Sequence, residues 1–152
     1  MRIYGPSLVW VGLLFLLHVQ IWWAVFELRG VSDWTIFSFL LVLAIPTLAY
    51  LLSALLIPGF DRKSTIDLKA SYFENRRWFF GLFALIPLVS LLQELAISGA
   101  IRWDADPVFR LGFVALGVVG FSTRHERTHQ WIAPVGLIAF AGYIVFLFLR
   151  LN

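Results

Sequence analysis

The chain has 152 residues, of which 61% are apolar and 14% are charged, and its mean hydropathy is +0.86. These values lie outside the range of a soluble domain of this length, so the composition predicts a membrane protein. The formal net charge is only +3 and the basic residues lie in short loops, which excludes an extended nucleic-acid-binding face. The absence of cysteine excludes disulfides, thiolate metal sites and thiol nucleophiles.

Five apolar runs follow one another along the chain, at 7–28, 34–57, 78–98, 107–122 and 131–149. A helix needs roughly 20 residues to cross about 30 Å of hydrocarbon. The fourth run is short, rich in glycine and contains Arg110, but we count it as spanning because of the charge distribution described next. The sequence therefore predicts an all-α bundle of five transmembrane helices, forming a single domain over residues 1–152.

The basic residues divide unequally between the two sides of such a bundle. If all five runs cross the membrane, eight lie on one side and four on the other; without the fourth run the division is seven to five. The eight are Arg2, Arg62, Lys63, Lys69, Arg76, Arg77, Arg124 and Arg127, and the four are Arg29, Arg102, Arg110 and Arg150. The positive-inside rule favours the larger asymmetry. We therefore expect a cytoplasmic N-terminus and a C-terminus on the opposite side of the membrane.

The loop at 58–77 has the features of an amphipathic cytoplasmic helix that runs into the third span. Ser64 stands at a position typical of an N-cap, and Ile66, Ala70 and Phe73 recur at helical spacing. Basic residues here and in the turn before the last span are expected to contact lipid phosphates. They are Lys69, Arg76, Arg77, Arg124 and Arg127.

Several segments of the first two thirds of the chain resemble small bacterial inner-membrane proteins of four or five predicted spans. They are QIWWAVFELR, YLLSALLIP and DLKASYFENRRWFFGLFAL. The resemblance rests on aromatic and loop pattern; it implies a location in the bacterial inner membrane, with a periplasmic C-terminus, and it implies no activity. Such proteins carry a basic turn near the last helix without a dependable H-E-x-x-H, which implies that the motif described next is incidental.

Residues 125–129 spell H-E-x-x-H, the zinc-binding motif of many hydrolases. On a helix His125 and His129 would share one face, and Glu126 would activate a metal-bound water. A catalytic site also needs a third protein ligand, but no Asp, Glu or His follows His129. That ligand would have to come from upstream, from Asp61, Asp67 or Glu74, or from another subunit. The alternative is structural: Thr123 and Glu126 match a capping box, with the histidines projecting toward the headgroups. We favour the structural interpretation, with no cofactor, and retain a zinc-dependent membrane hydrolase as the alternative.

Placing an ionisable side chain in the bilayer costs free energy, so each such residue is a candidate for a specific contact or function. In the third span Pro87, Ser90, Glu94 and Ser98 line one helical face. Glu94 and Arg110 lie about one turn from the same membrane surface. We expect them to form an ion pair that, with Glu27 and Asp104, lines an outward-facing polar vestibule. The alternative is that both side chains extend separately to the headgroups.

The first span carries two separate polar features, and its length and polar content indicate a retained helix, not a signal peptide. His18 lies near the bilayer centre, where hydrogen bonding to a neighbouring helix is commoner than a haem or proton-relay role. Gln20, Ala24 and Glu27 form another stripe that reaches the outer surface.

Small residues in the fourth and fifth spans favour close helix packing; the pairs are Gly112 with Ala115, Gly117 with Gly120, and Gly136 with Ala139. Together these features favour a non-enzymatic membrane protein, either an oligomeric channel or transporter subunit or an accessory protein. Its expected partners are membrane lipids, and a second copy or another membrane protein.

Overall fold

The computed structural model describes the backbone of residues 4–57 and 67–150, with side chains up to residue 146. Five helices occupy this part of the chain, and all of them are long and apolar enough to cross a membrane. They are α1 (Gly5–Glu27), α2 (Ile36–Ala54), α3 (Leu68–Ser98), α4 (Ala105–Ser122) and α5 (Glu126–Arg150), with a short 3₁₀ turn at Leu28–Gly30. The prediction of an all-α membrane bundle with five candidate spans is confirmed.

Helix α3 is longer than the predicted third span, because it begins at Leu68 and contains the C-terminal part of the expected amphipathic segment. The carboxylate of Asp67 accepts from the backbone N–H groups of Lys69 and Ala70, which caps the helix. At 1.5 Å per residue its 31 residues extend for about 46 Å, more than the hydrocarbon thickness. The predicted cap Ser64 lies outside the described residues.

The predicted capping box at the start of α5 is wrong. The backbone N–H of Thr123 donates to the carbonyl of Val119 at 3.1 Å, as the last turn of α4, so it cannot also bind the carboxylate of Glu126. The Thr123 hydroxyl instead accepts from the backbone N–H of His125 at 3.1 Å. A tight turn therefore joins the two helices, and the hydroxyl of Thr123 forms its hydrogen bond within that turn. The carboxylate of Glu126 pairs with Lys69 on α3.

The helices form a closed ring in chain order, in which each packs against the helices beside it and α5 closes against α1; α1 also contacts α3 across the interior. Aromatic side chains fill the interior of the bundle between the N-terminal halves of α1 and α3. The indole of Trp10 is fully buried, and the rings of Phe79, Phe80 and Phe83 lie 5.1, 5.4 and 5.1 Å from it, all edge-on. We call these four residues the aromatic plug.

Glycine allows α3 and α4 to approach each other closely. A Cβ at Gly117 would lie 2.8 Å from the Cβ of Ala84, and one at Gly120 would lie 2.4 Å from the ring of Phe80. Both contacts are too short for a real side chain. The predicted role of these two glycines in helix packing is therefore confirmed, and it is internal to the bundle. At Gly112, on the same helix, a Cβ would meet nothing within 4 Å.

Candidate functional site: a cavity at one end of the bundle

Successive helices run in opposite directions, so the bundle has two ends: one holds the start of α1 and the other holds its last turn. We call these the Tyr4 end and the Glu27 end. Ring contacts join Tyr4 to Tyr72 on α3, and Tyr72 to His129 on α5, at the Tyr4 end. The Glu27 end holds the last turns of α1 and α3 and the first turn of α4. Polar clusters lie at both ends, and they differ in character.

A cavity of about 370 Å³ lies at the Glu27 end and is lined by residues of all five helices. Its volume falls within the range of small-molecule sites. Leu13 and Phe83 are among its deepest lining residues, and Phe83 is the member of the aromatic plug that faces the cavity. Toward the end of the bundle the wall becomes polar, with Ser98, Arg102 and Asp104. The cavity therefore runs from a charged mouth to an apolar floor.

The centre of the polar wall is the guanidinium of Arg110. Its Nη1 donates to Oε2 of Glu94 at 2.8 Å, and its Nη2 donates to Oδ2 of Asp106. The side chains of Arg110, Glu94 and Asp106 are only 17%, 15% and 15% exposed. The ion pair between Glu94 and Arg110 that the sequence predicts is thus formed, and neither side chain extends separately to the headgroups.

Further donors complete the coordination of the two carboxylates. The hydroxyl of Tyr143 on α5 donates to Oδ1 of Asp106 at 2.7 Å, and the backbone N–H of Arg102 donates to Oε1 of Glu94 at 3.2 Å. Each carboxylate therefore receives a donor on both of its oxygens. We call Glu94, Arg110, Asp106 and Tyr143 the Arg110 cluster. It links α3, α4 and α5 across the cavity wall.

The cavity lining has more carboxylates than guanidiniums. The four carboxylates belong to Glu27, Glu94, Asp104 and Asp106, and the two guanidiniums belong to Arg102 and Arg110. When all six groups are ionised, the wall carries an excess of two negative charges. Because the surrounding protein has a lower effective dielectric constant than water, such an excess attracts a counter-charge strongly.

Both polar stripes recognised in the sequence face this cavity. Pro87, Ser90, Glu94 and Ser98 of α3 line it, as do Gln20, Ala24 and Glu27 of α1. Sequence reasoning missed Asp106 and Tyr143. The spacing of Asp106 and Arg110, four residues apart on a helix, is a signal that could have identified the first. No local pattern indicates Tyr143, because its role depends on how α5 is rotated against α4.

His18 does not belong to the cavity lining. Its Nδ1 lies 2.7 Å from the carbonyl oxygen of Leu14, one turn earlier in the same helix. Among the described residues the ring is bonded within α1, and the expected hydrogen bond to a neighbouring helix is not formed. The ring satisfies its donor within α1 by bonding back to the i−4 carbonyl.

The Tyr4 end contains a fully buried histidine. His129 Nε2 lies 3.0 Å from the carbonyl oxygen of Thr123, and its Nδ1 lies 3.0 Å from the hydroxyl of Tyr72. A carbonyl can only accept, so Nε2 carries the proton and Nδ1 accepts from the tyrosine. Next to this pair, burial and the carboxylate of Glu126 raise the pKa of Tyr4 to about 12, so its phenol stays neutral.

These contacts bear on the zinc hypothesis for the H-E-x-x-H motif. Both nitrogens of His129 are engaged and its ring is 0% exposed, so the expectation that it projects toward the headgroups is wrong. Glu126 pairs with Lys69 at 2.7 Å, while His125 is exposed. Within the described part of the chain, no three His, Asp or Glu side chains are grouped so as to hold a metal ion. The arrangement does not fit a zinc site.

Arg76 differs from the other basic residues expected at lipid phosphates. Its guanidinium is buried, with 2% of the residue exposed, and Nη1 donates to the carbonyl oxygens of Thr123 and Gly120. The prediction that Arg76 contacts lipid phosphates is therefore wrong; it ties α3 to the end of α4. The other four, which are Lys69, Arg77, Arg124 and Arg127, are exposed. Their contact with phosphate stays a prediction.

Comparison of the chain with protein-family models, with curated proteins and with solved structures found no match. The resemblance to small bacterial inner-membrane proteins therefore stays a prediction.

Proposed function

We propose that this chain is a non-enzymatic membrane protein that binds a small molecule in the cavity at the Glu27 end. It would act as a channel or transporter subunit, or as a membrane accessory protein that receives such a molecule. The observation that carries the proposal is a cavity lined by all five helices, with the buried Arg110 cluster in its wall. Ionisable residues at membrane depth are costly and commonly mark ligand or ion pathways.

The chemistry of the cavity supports binding over catalysis. Glu94 and Asp106 each accept donors on both oxygens, so their carboxylates are held in place as fixed charges. A general base needs a carboxylate or imidazole directed at a substrate proton. The nitrogens of the buried His129 at the other end are likewise used by Tyr72 and Thr123. These contacts favour a pre-formed polar recognition site.

The shape of the cavity supports entry from one side. Its floor lies against the aromatic plug, whose members Trp10 and Phe80 are fully buried. A molecule that enters at the mouth therefore meets a closed interior, as expected for a receptor or for one state of a carrier that alternates between open ends. Association with a second copy or with another membrane protein is part of the same proposal.

The proposed orientation in the bacterial inner membrane follows from the charge distribution. With five spans, eight of the twelve Lys and Arg residues fall on the side of the Tyr4 end. The positive-inside rule assigns that side to the cytoplasm. The mouth of the cavity would then open to the periplasm.

Single-cysteine labelling tests the proposal, since the chain has no cysteine of its own. We expect Ser90→Cys, in the cavity wall, to react with a charged, water-soluble thiol reagent added from the periplasmic side. Leu92→Cys is the matched control, because Leu92 is 50% exposed on the same helix and does not line the cavity. It should face lipid and stay unreactive. If Ser90→Cys is as unreactive as Leu92→Cys, the cavity is not a water-accessible site and the proposed function is wrong.

A further inference from the structure

The walls of the cavity discriminate between classes of ligand. We propose that the molecule bound there is an amphipathic organic cation, a compound with a positively charged centre and apolar substituents. This inference rests on the proposed function, because it names the ligand class of the same cavity. Three features of the described residues support it: the sign of the lining charge, the aromatic side chains of the wall, and the bonds of both terminal nitrogens of Arg110 to carboxylates.

The charge of the lining favours a positive ligand. Two carboxylates flank the single guanidinium of Arg110, so the Arg110 cluster by itself has an excess of one negative charge. Glu94 and Asp106 are each 15% exposed, which limits screening by water. Toward the mouth, Glu27 and Asp104 add two further carboxylates against one guanidinium from Arg102, and water screens the exposed Glu27 and Arg102 alike. A cationic ligand would offset this excess, whereas an anion would increase it.

Aromatic rings form a continuous part of the wall beside the carboxylates. Phe113 contacts Phe83, Phe140 and Tyr143 with ring centroids 6.3, 5.7 and 6.1 Å apart, and all four residues line the cavity. The face of an aromatic ring attracts a cation, most strongly where water is excluded. Phe113 and Phe83 lie toward the apolar floor, so apolar substituents of the ligand would contact them. The same wall thus serves both parts of an amphipathic cation.

The terminal nitrogens of Arg110 do not offer a competing site for an anion, and of its side-chain nitrogens only the buried Nε lacks a hydrogen-bond partner among the described residues. Both of its terminal nitrogens donate to carboxylates, and Nη1 also lies 3.4 Å from the carbonyl oxygen of Ser90. To bind the terminal nitrogens, an anionic ligand would have to displace Glu94 or Asp106 and leave that carboxylate buried without its cation; at Nε it would lie beside both carboxylates. Removing one partner of a buried pair is strongly unfavourable. Arg102 is exposed at the mouth, where water screens it.

Tetraphenylphosphonium and tetraphenylborate provide a matched test, because they have nearly the same size and shape and opposite charge. Binding of each ion to the purified full chain in a neutral detergent would be measured by equilibrium dialysis with a radiolabelled or chromogenic ion. We expect saturable binding of the phosphonium at one site per chain. Tetraphenylborate should bind at least about tenfold more weakly, as expected from opposite signs of interaction with the lining charge.

Three variants test whether the phosphonium binds in the cavity, and a fourth replaces a cavity variant that does not fold. Ser90→Phe places a ring in the cavity and should abolish phosphonium binding, whereas Ser122→Phe, an exposed serine at the Tyr4 end, should leave it unchanged. Glu94→Gln should weaken binding by about tenfold or more, because it removes one carboxylate from the wall. If Ser90→Phe or Glu94→Gln fails to fold, Glu27→Gln at the exposed mouth takes its place. It should weaken binding about twofold to threefold at low salt and have no effect at high salt.

The outcomes separate the ligand class from the proposed function. Phosphonium binding that Ser90→Phe abolishes supports both. Binding of tetraphenylborate that equals or exceeds that of the phosphonium, and that Ser90→Phe abolishes, overturns the cation inference and retains a ligand-binding cavity. If neither ion binds, the cation inference is wrong, and labelling of Ser90→Cys decides the proposed function independently.

Discussion

Arg110 on α4 and Glu94 on α3 form an ion pair of 2.8 Å inside the bundle, and both side chains are more than four-fifths buried. Arg110 is also bound by Asp106 from its own helix. A pair of this kind is sensitive to the loss of one member, because the remaining charge stays buried without compensation. The change in the free energy of unfolding when Arg110 is replaced therefore measures how much this ion pair stabilises the cavity wall.

We expect Arg110→Ala to lower the free energy of unfolding by about 3 kcal/mol, because it leaves two buried carboxylates without their cation. Thermal or denaturant unfolding in detergent would measure the change. Lys69→Ala is the matched control, since Lys69 and Glu126 also pair at 2.7 Å but are 47% and 42% exposed. It should cost less than about 1 kcal/mol. Equal effects of the two variants would show that the Arg110 pair is screened by water.

The hydrogen bond between Tyr72 and His129 joins α3 to α5 at the Tyr4 end. Tyr72→Phe removes the hydroxyl and leaves Nδ1 of the buried histidine without its donor, at an expected cost of about 1–3 kcal/mol. Tyr50→Phe is the control, because Tyr50 is 69% exposed and should change stability by no more than about 0.5 kcal/mol. An unchanged unfolding midpoint for Tyr72→Phe would mean that water replaces the hydroxyl at the histidine.

The H-E-x-x-H segment should not bind zinc stoichiometrically in the folded protein. Coordination through His129 would require it to give up Tyr72 or the carbonyl of Thr123. Metal analysis of protein purified with and without added zinc would measure this. His125→Ala, at an exposed position, should leave both metal content and stability unchanged. One zinc per chain that is lost in both His125→Ala and His129→Ala would restore the hydrolase hypothesis.

Gly120→Ala should destabilise the contact of α3 with α4. The added Cβ would lie 2.4 Å from the ring of Phe80, which is fully buried in the aromatic plug and has little room to move. Overpacking of this kind costs about 1–3 kcal/mol. Gly112→Ala, on the same helix with nothing within 4 Å of the new methyl group, should be neutral or slightly stabilising. Comparing the unfolding midpoints of the two variants isolates the steric effect from helix propensity.

The proposed orientation predicts the labelling of two exposed serines at opposite ends of the bundle. In intact bacterial cells, Ser98→Cys should react with a membrane-impermeant thiol reagent, and Ser122→Cys should react only after the cells are broken. Both serines end their helices, so local structure at the two sites is comparable. Labelling of Ser122→Cys in intact cells, without labelling of Ser98→Cys, would invert the topology and place the cavity mouth in the cytoplasm.

Much of the fold follows from local properties of the sequence. The number of helices could be predicted because hydrophobic length is set by a single run of residues. The depth of a residue in the bundle follows from its position along the apolar run, so the sequence alone places Glu94 and Arg110 at the same depth. The stripe containing Ser90 and Glu94 and the stripe containing Gln20 and Glu27 were likewise visible, since helical periodicity depends only on spacing.

Tertiary structure decided which way each helix face points and what lies opposite it. Arg76 and Arg77 are adjacent in the sequence, yet α3 directs the first into the bundle and the second outward. His129 binds Tyr72 across 57 positions of sequence, and Tyr143 reaches Asp106 across 37. Rotation of a helix about its axis is determined by the side chains of its neighbours and by the glycines that let them approach. The sequence alone determined depth, therefore, and packing determined which residues meet.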